Sequence, residues 1–194
     1  MEIKSASFYI SVADSRKVID DEKKQIAFVG RSNVGKSSLL NALVRQKKLA
    51  KTSQTPGRTR LINYFLINNE FYFVDLPGYG FAKGNKQEVS SWQDLIEPYL
   101  VNNSKLKCVC MLVDSRLNPM ETDKQMQVVL DYYKIPYIVI ATKADKLTKS
   151  ECGKVKSNIA NSLRLGTDNI IVSSSKTNAG RKEILDKLEL YLGE

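Results

Sequence analysis

Residues 26–44 read IAFVGRSNVGKSSLLNALV, and this segment combines three patterns that together predict a phosphate-binding site. The apolar run 26–29 is typical of a buried strand, and the apolar residues that follow Ser37 are typical of a helix. Between them lies the pattern G-x-x-x-x-G-K-S, formed by Gly30, Arg31, Ser32, Asn33, Val34, Gly35, Lys36 and Ser37. Glycines allow backbone N–H groups to face a phosphate chain at a helix N-terminus, where the helix dipole is positive. The sequence therefore predicts a nucleotide-binding protein.

Two side chains of this loop have the chemistry that phosphate and metal binding require. Lys36 can reach the β- and γ-phosphates of a nucleotide, which makes it a candidate catalytic residue. The hydroxyl of Ser37 can occupy one position around Mg²⁺, a cation that prefers oxygen ligands.

Length and composition limit the class of protein. A chain of 194 residues suits one domain with a sizeable core. The first residues, MEIK, carry charges where a signal peptide would be apolar, and no apolar run approaches about 18 residues, so we expect a cytoplasmic protein with no membrane association. The sequence contains no histidine, which excludes general-base catalysis and metal ligation by histidine.

The three cysteines do not form a pattern of their own. Cys108 and Cys110 lie in an apolar run, where we expect them to be buried in a strand, and Cys152 stands alone. Neither a metal-binding spacing nor a disulfide framework is predicted.

Positive charge is concentrated in one part of the chain. The formal net charge is +9, and residues 23–69 contain no acidic residue. The cations of this acid-free segment are Lys23, Lys24, Arg31, Lys36, Arg45, Lys47, Lys48, Lys51, Arg58 and Arg60. Such a segment can be an ordinary solvated surface, but its position around a nucleotide loop favours RNA or another polyanion as a partner. No aromatic RNA-binding motif is present, so sequence-specific reading of RNA is not predicted.

Short apolar runs alternate with helical patterns along the chain. Strands are predicted over 6–12, 26–29, 61–67, 70–75, 106–114, 137–142 and 169–173, with Asn68-Asn69 as a hairpin turn. After the helix that begins at Ser38, helices are predicted over 91–101, 123–133, 150–163 and 181–191. This alternation predicts one α/β domain with a mostly parallel, doubly wound sheet that contains one antiparallel strand. Ligand-binding loops are then expected at the carboxyl ends of the strands.

A second phosphate-sensing segment follows the predicted strand 70–75. It consists of Asp75, Leu76, Pro77 and Gly78. A carboxylate at this place can hold Mg²⁺ through water, and the amide of Gly78 can donate to a γ-phosphate. The pattern D-x-x-G alone also describes an ordinary turn, but its distance behind the phosphate loop favours the functional interpretation.

The segment after strand 137–142 indicates which base is bound. It consists of Thr142, Lys143, Ala144 and Asp145. A carboxylate accepts hydrogen bonds from N1 and the exocyclic amine of guanine, whereas adenine offers neither donor and would leave the carboxylate unpaired. The aliphatic stem of the lysine can lie against the purine face. After the last strand, Ser173, Ser174 and Ser175 either contact the base carbonyl or form a helix-capping turn.

A polar and basic segment, TSQTPGRTR at residues 52–60, lies between the two phosphate motifs. We expect a hydroxyl from this segment to complete the Mg²⁺ shell when a γ-phosphate is present. Thr59 is the first candidate because it follows Gly57 and immediately precedes the strand, and Thr55 is the second.

These motifs, in this order, resemble the EngB/YsxC (YihA-type) family of bacterial ribosome-assembly GTPases. The resemblance covers nearly the whole chain and is carried by GRSNVGKS at 30–37, TPGRT at 55–59, DLPGYGFA at 75–82 and TKAD at 142–145. It implies a Ras-like GTPase fold of the P-loop NTPase class that binds Mg²⁺ with GTP or GDP. It also implies a role in late assembly of the large ribosomal subunit, with rRNA and ribosomal proteins as partners, and a link to normal cell division and septation.

The resemblance assigns roles to residues of this chain. Ser37 and Thr59 are implied as Mg²⁺ ligands, and the γ-phosphate-sensing loops are implied to be Asp75 to Gly78 together with Gly57, Arg58, Thr59, Arg60 and Leu61. Ser174 and Ser175 stand where other GTPases have Ala-Lys, and Thr142 where most have Asn. Residues 1–22 are then an N-terminal extension packed on a GTP-binding domain of residues 23–194, and we expect a monomer.

Two positions bear on the rate of hydrolysis. Tyr79 stands where Ras-type enzymes place the glutamine that orients the attacking water, so slow hydrolysis by the protein alone is expected. Asn33 resembles the K⁺ ligand of related GTPases, which would make it a catalytic residue, or it stabilises the loop.

Two classes of function remain open. The protein is either an enzyme whose turnover is itself the purpose, or a nucleotide-gated module that docks on a ribosomal precursor in its GTP form. The missing glutamine and the acid-free segment favour the second class. Further alternatives are a GTPase that acts directly in division or septation and another RNA-associated GTPase, while Asp145 disfavours an ATP-dependent kinase.

Overall fold

Seven strands form a single mixed sheet in the computed structural model, which describes residues 1–14, 17–19, 21–50, 61–79 and 95–193. The strands are β1 (Ala6–Val12), β2 (Lys24–Gly30), β3 (Ile62–Ile67), β4 (Phe71–Asp75), β5 (Leu106–Asp114), β6 (Tyr137–Thr142) and β7 (Ile170–Val172). Their order across the sheet is β1-β3-β4-β2-β5-β6-β7. β3 pairs antiparallel with β1 and with β4, and the other neighbours pair in parallel. The predicted sheet, mostly parallel with one antiparallel strand, is confirmed.

Helices cover both faces of this sheet, as a doubly wound fold requires. They are α1 (Lys36–Val44), α2 (Glu121–Tyr132), α3 (Lys149–Leu163) and α4 (Arg181–Gly193), and residues 95–101 are also helical. Alternate residues of β2 point to opposite faces. Ile26 and Phe28 pack with α1 and α4, whereas Ala27 and Val29 pack with residues of α2, α3 and the helical turn after residue 94. None of the described helices combines the length and the apolar character needed to cross a membrane.

The predicted hairpin between β3 and β4 is present, and its turn also holds the start of the chain. Asn68 and Asn69 have φ values of 51° and 58°, the left-handed geometry that favours asparagine in tight hairpins. The side chain of Asn68 accepts hydrogen bonds from the backbone N–H groups of Lys4 and Ser5 and donates to the carbonyl of Glu2. β1 is thereby fastened along the edge of the sheet. The division of the chain at residue 22 stays a prediction.

Helix and strand ends differ from the predicted bounds by one or two residues. The helix expected from Asp123 begins at Glu121, because the Asp123 carboxylate accepts the backbone N–H of Met120 from within the first turn. The last strand is shorter than predicted, since Asn169 belongs to a 3₁₀ turn. Residues 91–94 of another predicted helix lie outside the described residues.

Cys108 and Cys110 are completely buried in β5, as predicted. Burial raises the pKa of Cys108 to about 12 and raises that of Cys110 as well. Both thiols therefore stay protonated at neutral pH and serve as small apolar side chains.

Candidate nucleotide-binding site

Four strands of the described sheet place residues of the candidate site at one edge, where parallel strands end. Gly30 ends β2, Asp75 ends β4, Asp114 ends β5 and Thr142 ends β6. Because these four strands are parallel neighbours, their carboxyl ends meet at the same edge, which is where ligands bind in sheets of this type.

Two glycines shape the phosphate loop for different reasons. Gly35 has φ of 105° and forms the N-cap of α1, a conformation that side chains rarely adopt. Gly30 is required for close approach, since a Cβ there would lie 2.9 Å from Val34 Cγ1 and 3.0 Å from Leu112 Cβ. The loop leads into the first turn of α1, which contains no acidic residue. The free N–H groups of that turn can therefore face an anion.

The ammonium group of Lys36 forms an ion pair with the carboxylate of Asp75. Both side chains are largely buried, with 13% and 8% of their surfaces exposed. The structure thus brings together a residue of the phosphate loop and the first residue of the D-x-x-G segment, which are separated by 39 positions in sequence.

Two residues at or beside this pair carry oxygen atoms, the type of ligand that Mg²⁺ prefers. They are Asp75 itself and Ser37, which follows the paired lysine in sequence and is half-buried. Within the described parts of the chain, no three acidic or cysteine side chains cluster in a way that could hold a metal ion by themselves. Mg²⁺ suits such a partial set, because it keeps several waters and takes other ligands from the nucleotide phosphates. Thr59, the second predicted ligand, and Thr55 lie outside the described residues.

The D-x-x-G segment continues along β2 and lies against the phosphate loop. The N–H of Leu76 donates to the carbonyl of Phe28 at 3.0 Å, and the N–H of Tyr79 donates to the carbonyl of Gly30 at 3.3 Å. A Cβ on Gly78 would approach Ser32 Oγ to 3.1 Å and Gly30 O to 3.2 Å. Pro77 lies between these contacts. The predicted phosphate-sensing segment is therefore adjacent to the predicted phosphate loop.

Thr142 connects the base motif, the predicted base-binding segment of residues 142–145, to the phosphate loop. Its buried hydroxyl lies 2.6 Å from the carbonyl oxygen of Val34 and 3.1 Å from that of Val113. The Thr142 hydroxyl thus holds the backbone of the phosphate loop at Val34. A threonine can do this because its hydroxyl is a hydrogen-bond donor.

Lys143 reaches across the site in the same direction. Its backbone is left-handed, with φ of 64°. Its ammonium donates to the carbonyl of Asn33 at 2.6 Å and lies 2.9 Å from Asp114 Oδ2. The Lys143 side chain is consequently fixed at its ammonium end by two contacts. The loop at Asn33 is fixed through its backbone carbonyl, while the Asn33 side chain is exposed.

Asp114 is a site residue that the sequence analysis missed. Arg116 donates to it from Nε at 2.9 Å and from a terminal nitrogen at 2.7 Å, in addition to the lysine contact. Burial would raise the pKa of Asp114, but the hydrogen bonds from Arg116 and Lys143 outweigh this effect and hold the pKa far below its usual range. Its place beside Thr142 is set by the register of the sheet, which a pattern along one segment of sequence does not reveal.

Asp145 meets the serines that follow β7. Ser174 Oγ donates to Asp145 Oδ1 at 2.7 Å and accepts the N–H groups of Lys176 and Thr177 at 3.2 Å each. Ser174 therefore closes a turn, as one of its two predicted interpretations requires, and it also bonds Asp145, while contact of these serines with the base carbonyl stays a prediction. The hydrogen bond from Ser174 lowers the pKa of Asp145.

The remaining predicted residues are placed as follows. Ser173 is buried and its carbonyl accepts the N–H of Ala144 at 3.1 Å, whereas Ser175 is half-buried. Arg31 pairs with Tyr79 in an isolated parallel bridge. Leu61 is half-buried just before β3. Gly57, Arg58 and Arg60 lie outside the described residues.

Comparison with known proteins identifies the family. Residues 25–143 match the model of a family described as 50S ribosome-binding GTPase. Two curated relatives, each described as probable GTP-binding protein EngB, come from Clostridium acetobutylicum and Clostridium kluyveri. They are 50% and 51% identical to the chain, over 97% of its length and over 94% and 96% of their own. A crystal structure of a probable GTP-binding protein engB superposes with a TM-score of 0.72 at 26% identity, covering 87% of this chain and 98% of that one.

The matches run through every segment that forms the site, from the phosphate loop to the serines after β7. They extend over nearly the full length of the relatives as well as of this chain. The chain therefore belongs to the EngB family of GTP-binding proteins.

Proposed function

We propose that the protein is a Mg²⁺-dependent GTPase that hydrolyses GTP slowly by itself and acts as a nucleotide-gated assembly factor for the large ribosomal subunit. The proposal includes a need for the protein in normal cell division and septation, with a GTPase that acts there directly as the alternative. The observation that carries the proposal is the arrangement of Asp145, Ser174 and Lys143 beside a phosphate loop. The family description, 50S ribosome-binding GTPase, supports the choice of partner.

Guanine specificity rests on the Asp145 carboxylate. The carboxylate is ionised at neutral pH, and the hydrogen bond from Ser174 lowers its pKa further, so it can accept hydrogen bonds from the two donors of the guanine edge. Adenine would leave a charged acceptor unpaired. The Lys143 stem lies along the base, and the backbone around Ser173 to Ser175 meets the base carbonyl.

Phosphate binding requires Lys36 to exchange its partner. Its ammonium would leave Asp75 for the β- and γ-phosphates, and the freed carboxylate would then be available to help hold Mg²⁺ through water. Mg²⁺ would be held by Ser37 and Thr59, and it neutralises charge on the phosphates when bound. Gly78, already adjacent to the phosphate loop, can donate its N–H to the γ-phosphate.

Slow hydrolysis follows from the position of Tyr79. Its side chain is buried and its hydroxyl is engaged by Asp123, so it does not orient water as a glutamine does. The exposed side chain of Asn33 is free to face a K⁺ ion between the phosphates, which would supply the missing charge. K⁺ dependence is therefore part of the proposal.

The proposed ribosomal contact uses the acid-free segment. Arg45, Lys47 and Lys48 are exposed at the end of α1, where the chain leads into the segment 51–60 that is expected to sense the γ-phosphate. Cations at this place can neutralise rRNA phosphates, and their arrangement would depend on the nucleotide.

Co-sedimentation with purified large subunits or their precursors tests the proposal. The protein with a non-hydrolysable GTP analogue should pellet with the particle more strongly than the protein with GDP. Purified small subunits serve as the control and should pellet neither form. Equal pelleting with both nucleotides would reject the gated role, and no pelleting with either would favour a GTPase that acts elsewhere, including directly in division.

A further inference from the structure

Tyr79 has an unusual environment for a residue beside a phosphate-sensing loop. It is only 9% exposed, and its hydroxyl donates to Asp123 Oδ1 at 2.8 Å in a buried hydrogen bond. Asp123 is itself 2% exposed. The pair links two segments that are 44 residues apart in sequence.

The same carboxylate also organises the start of α2. Asp123 Oδ2 accepts the N–H of Met120 at 2.8 Å, so the two oxygens have different tasks. One oxygen closes the helix N-terminus, and the other holds the tyrosine. The Asp123 carboxylate therefore connects the position of the Tyr79 hydroxyl to the first turn of α2.

At its other end, Tyr79 is joined to the phosphate loop. Its N–H donates to the carbonyl of Gly30, and the preceding Gly78 lies in close contact with Ser32. One residue thus bonds the phosphate loop through its backbone and α2 through its side chain. Burial and the nearby Asp123 charge both raise the Tyr79 pKa, which keeps the hydroxyl protonated as a donor.

We propose that Tyr79 is a positioning residue that transmits the nucleotide state to α2. The proposal rests on the GTP and GDP cycle proposed above. When Gly78 moves to bond a γ-phosphate, the buried hydrogen bond to Asp123 carries the first turn of α2 with it, because a buried donor left unpaired is unfavourable. The outer side of α2 presents Val128 and Tyr132, which are 65% and 76% exposed and one helical turn apart, so the change reaches a surface.

Hydrogen exchange of the full-length chain, followed by mass spectrometry, tests this coupling. In the unaltered protein, exchange of the α2 amides should differ between the GDP form and the form with a non-hydrolysable GTP analogue by about fivefold or more, the lower end of allosteric couplings. In Tyr79→Phe, which keeps the ring and removes the hydroxyl, this ratio should fall toward one. Nucleotide affinity and single-turnover hydrolysis should both stay close to those of the unaltered protein.

Tyr99→Phe is the matched control. Tyr99 is also buried, and its hydroxyl donates to Gln25 at 3.1 Å, away from the phosphate loop. This variant should keep the nucleotide-dependent difference in α2.

Three results would overturn the inference. The first is a nucleotide-dependent difference in α2 exchange that remains in Tyr79→Phe, and the second is identical α2 exchange in the unaltered protein with either nucleotide bound. The third is a large loss of hydrolysis in Tyr79→Phe while the difference in α2 exchange remains, which would make Tyr79 catalytic. Failure to bind any guanine nucleotide would instead reject the proposed function itself.

Discussion

The hydrogen bond from Ser174 fixes one oxygen of the Asp145 carboxylate but uses only one of its acceptor positions. An ionised carboxylate offers about four such positions, so it can still meet the two donors of a guanine edge. The serine hydroxyl restricts the rotation of the carboxylate. A bound base therefore meets an acceptor whose orientation is already set, which reduces the entropy lost on binding.

Asp145→Asn should weaken GDP and GTP binding. An amide replaces one oxygen with a donor, and about 1.5–3 kcal/mol is lost for each charged hydrogen bond, which corresponds to roughly 10²- to 10⁴-fold for both. Xanthosine diphosphate should partly restore binding, because its C2 carbonyl can accept from the new amide. Titration calorimetry measures both ligands, with the exposed Asp168→Asn as control. Unchanged GDP affinity would remove Asp145 from the base site.

Sequence reasoning found single site residues better than it found their partners. Asp145 and the phosphate loop were predictable because fixed spacing within one segment marks them. The contacts of Lys143 with Asp114 and of Ser174 with Asp145 join residues that are 29 positions apart, and the Tyr79 bond spans 44. A pattern along one element does not show which side chains meet where strands end. The register of the assembled sheet decides that.

At the scale of elements, α1 does more than present the phosphate loop. Asn41, buried on this helix, donates to the carbonyl of Ala50 at 2.9 Å and accepts its N–H at 2.7 Å. These two hydrogen bonds hold Ala50, which immediately precedes residues 51–60, against the helix that begins at the nucleotide site. At its C-terminal end, α1 also receives Arg181 of α4, which donates to the carbonyls of Ala42 and Leu43.

Asn41→Ala should destabilise the fold. The substitution leaves the buried N–H and carbonyl of Ala50 without partners, and each unpaired group costs about 1–3 kcal/mol. Urea unfolding should show a lower midpoint with an unchanged slope. Asn158→Ala, at an exposed position of α3, should change stability by less than about 0.5 kcal/mol. Similar midpoints for the two variants would show that the hydrogen bonds of Asn41 contribute little.

Elements were predictable to different degrees. The bounds of β1, β5 and β6 agree with the predicted strands, and the apolar runs of β5 and β6 end at the polar residues Asp114 and Thr142. The start of α2 was missed because a capping carboxylate in the first turn gives the same sequence signal as one before it. The sequence does not show which helix covers which face of the sheet. The structure shows it, because alternate residues of β2 pack into two separate cores.

At the scale of the whole molecule, positive charge and the nucleotide site share one region. Replacing Lys47, Lys48 and Lys51 together by Ala should weaken binding to the large subunit while nucleotide affinity stays close to normal. Lys51 lies outside the described residues, and the other two are exposed. The slope of log affinity against log salt should become shallower by about 0.7–0.9 for every RNA phosphate that the variant no longer neutralises.

Co-sedimentation at several salt concentrations measures this slope. The control replaces three other exposed lysines by Ala: Lys4, Lys149 and Lys154. Both variants lose the same total charge, so a general effect of charge would change the slope equally in both. An unchanged slope in the first variant would place the RNA contact on another surface.

The ion pair between Lys36 and Asp75 gives the nucleotide an intramolecular competitor. In the proposed function, the phosphate chain displaces a carboxylate that belongs to the protein, so the affinity for the nucleotide depends on the difference between two ion pairs. A single inorganic phosphate gains little in such an exchange, because it replaces one anion with another. A polyphosphate gains more, since it also meets the backbone N–H groups of the loop and carries its own cation. In the proposed function, the ion pair would therefore favour a polyphosphate over a single phosphate before the base is bound.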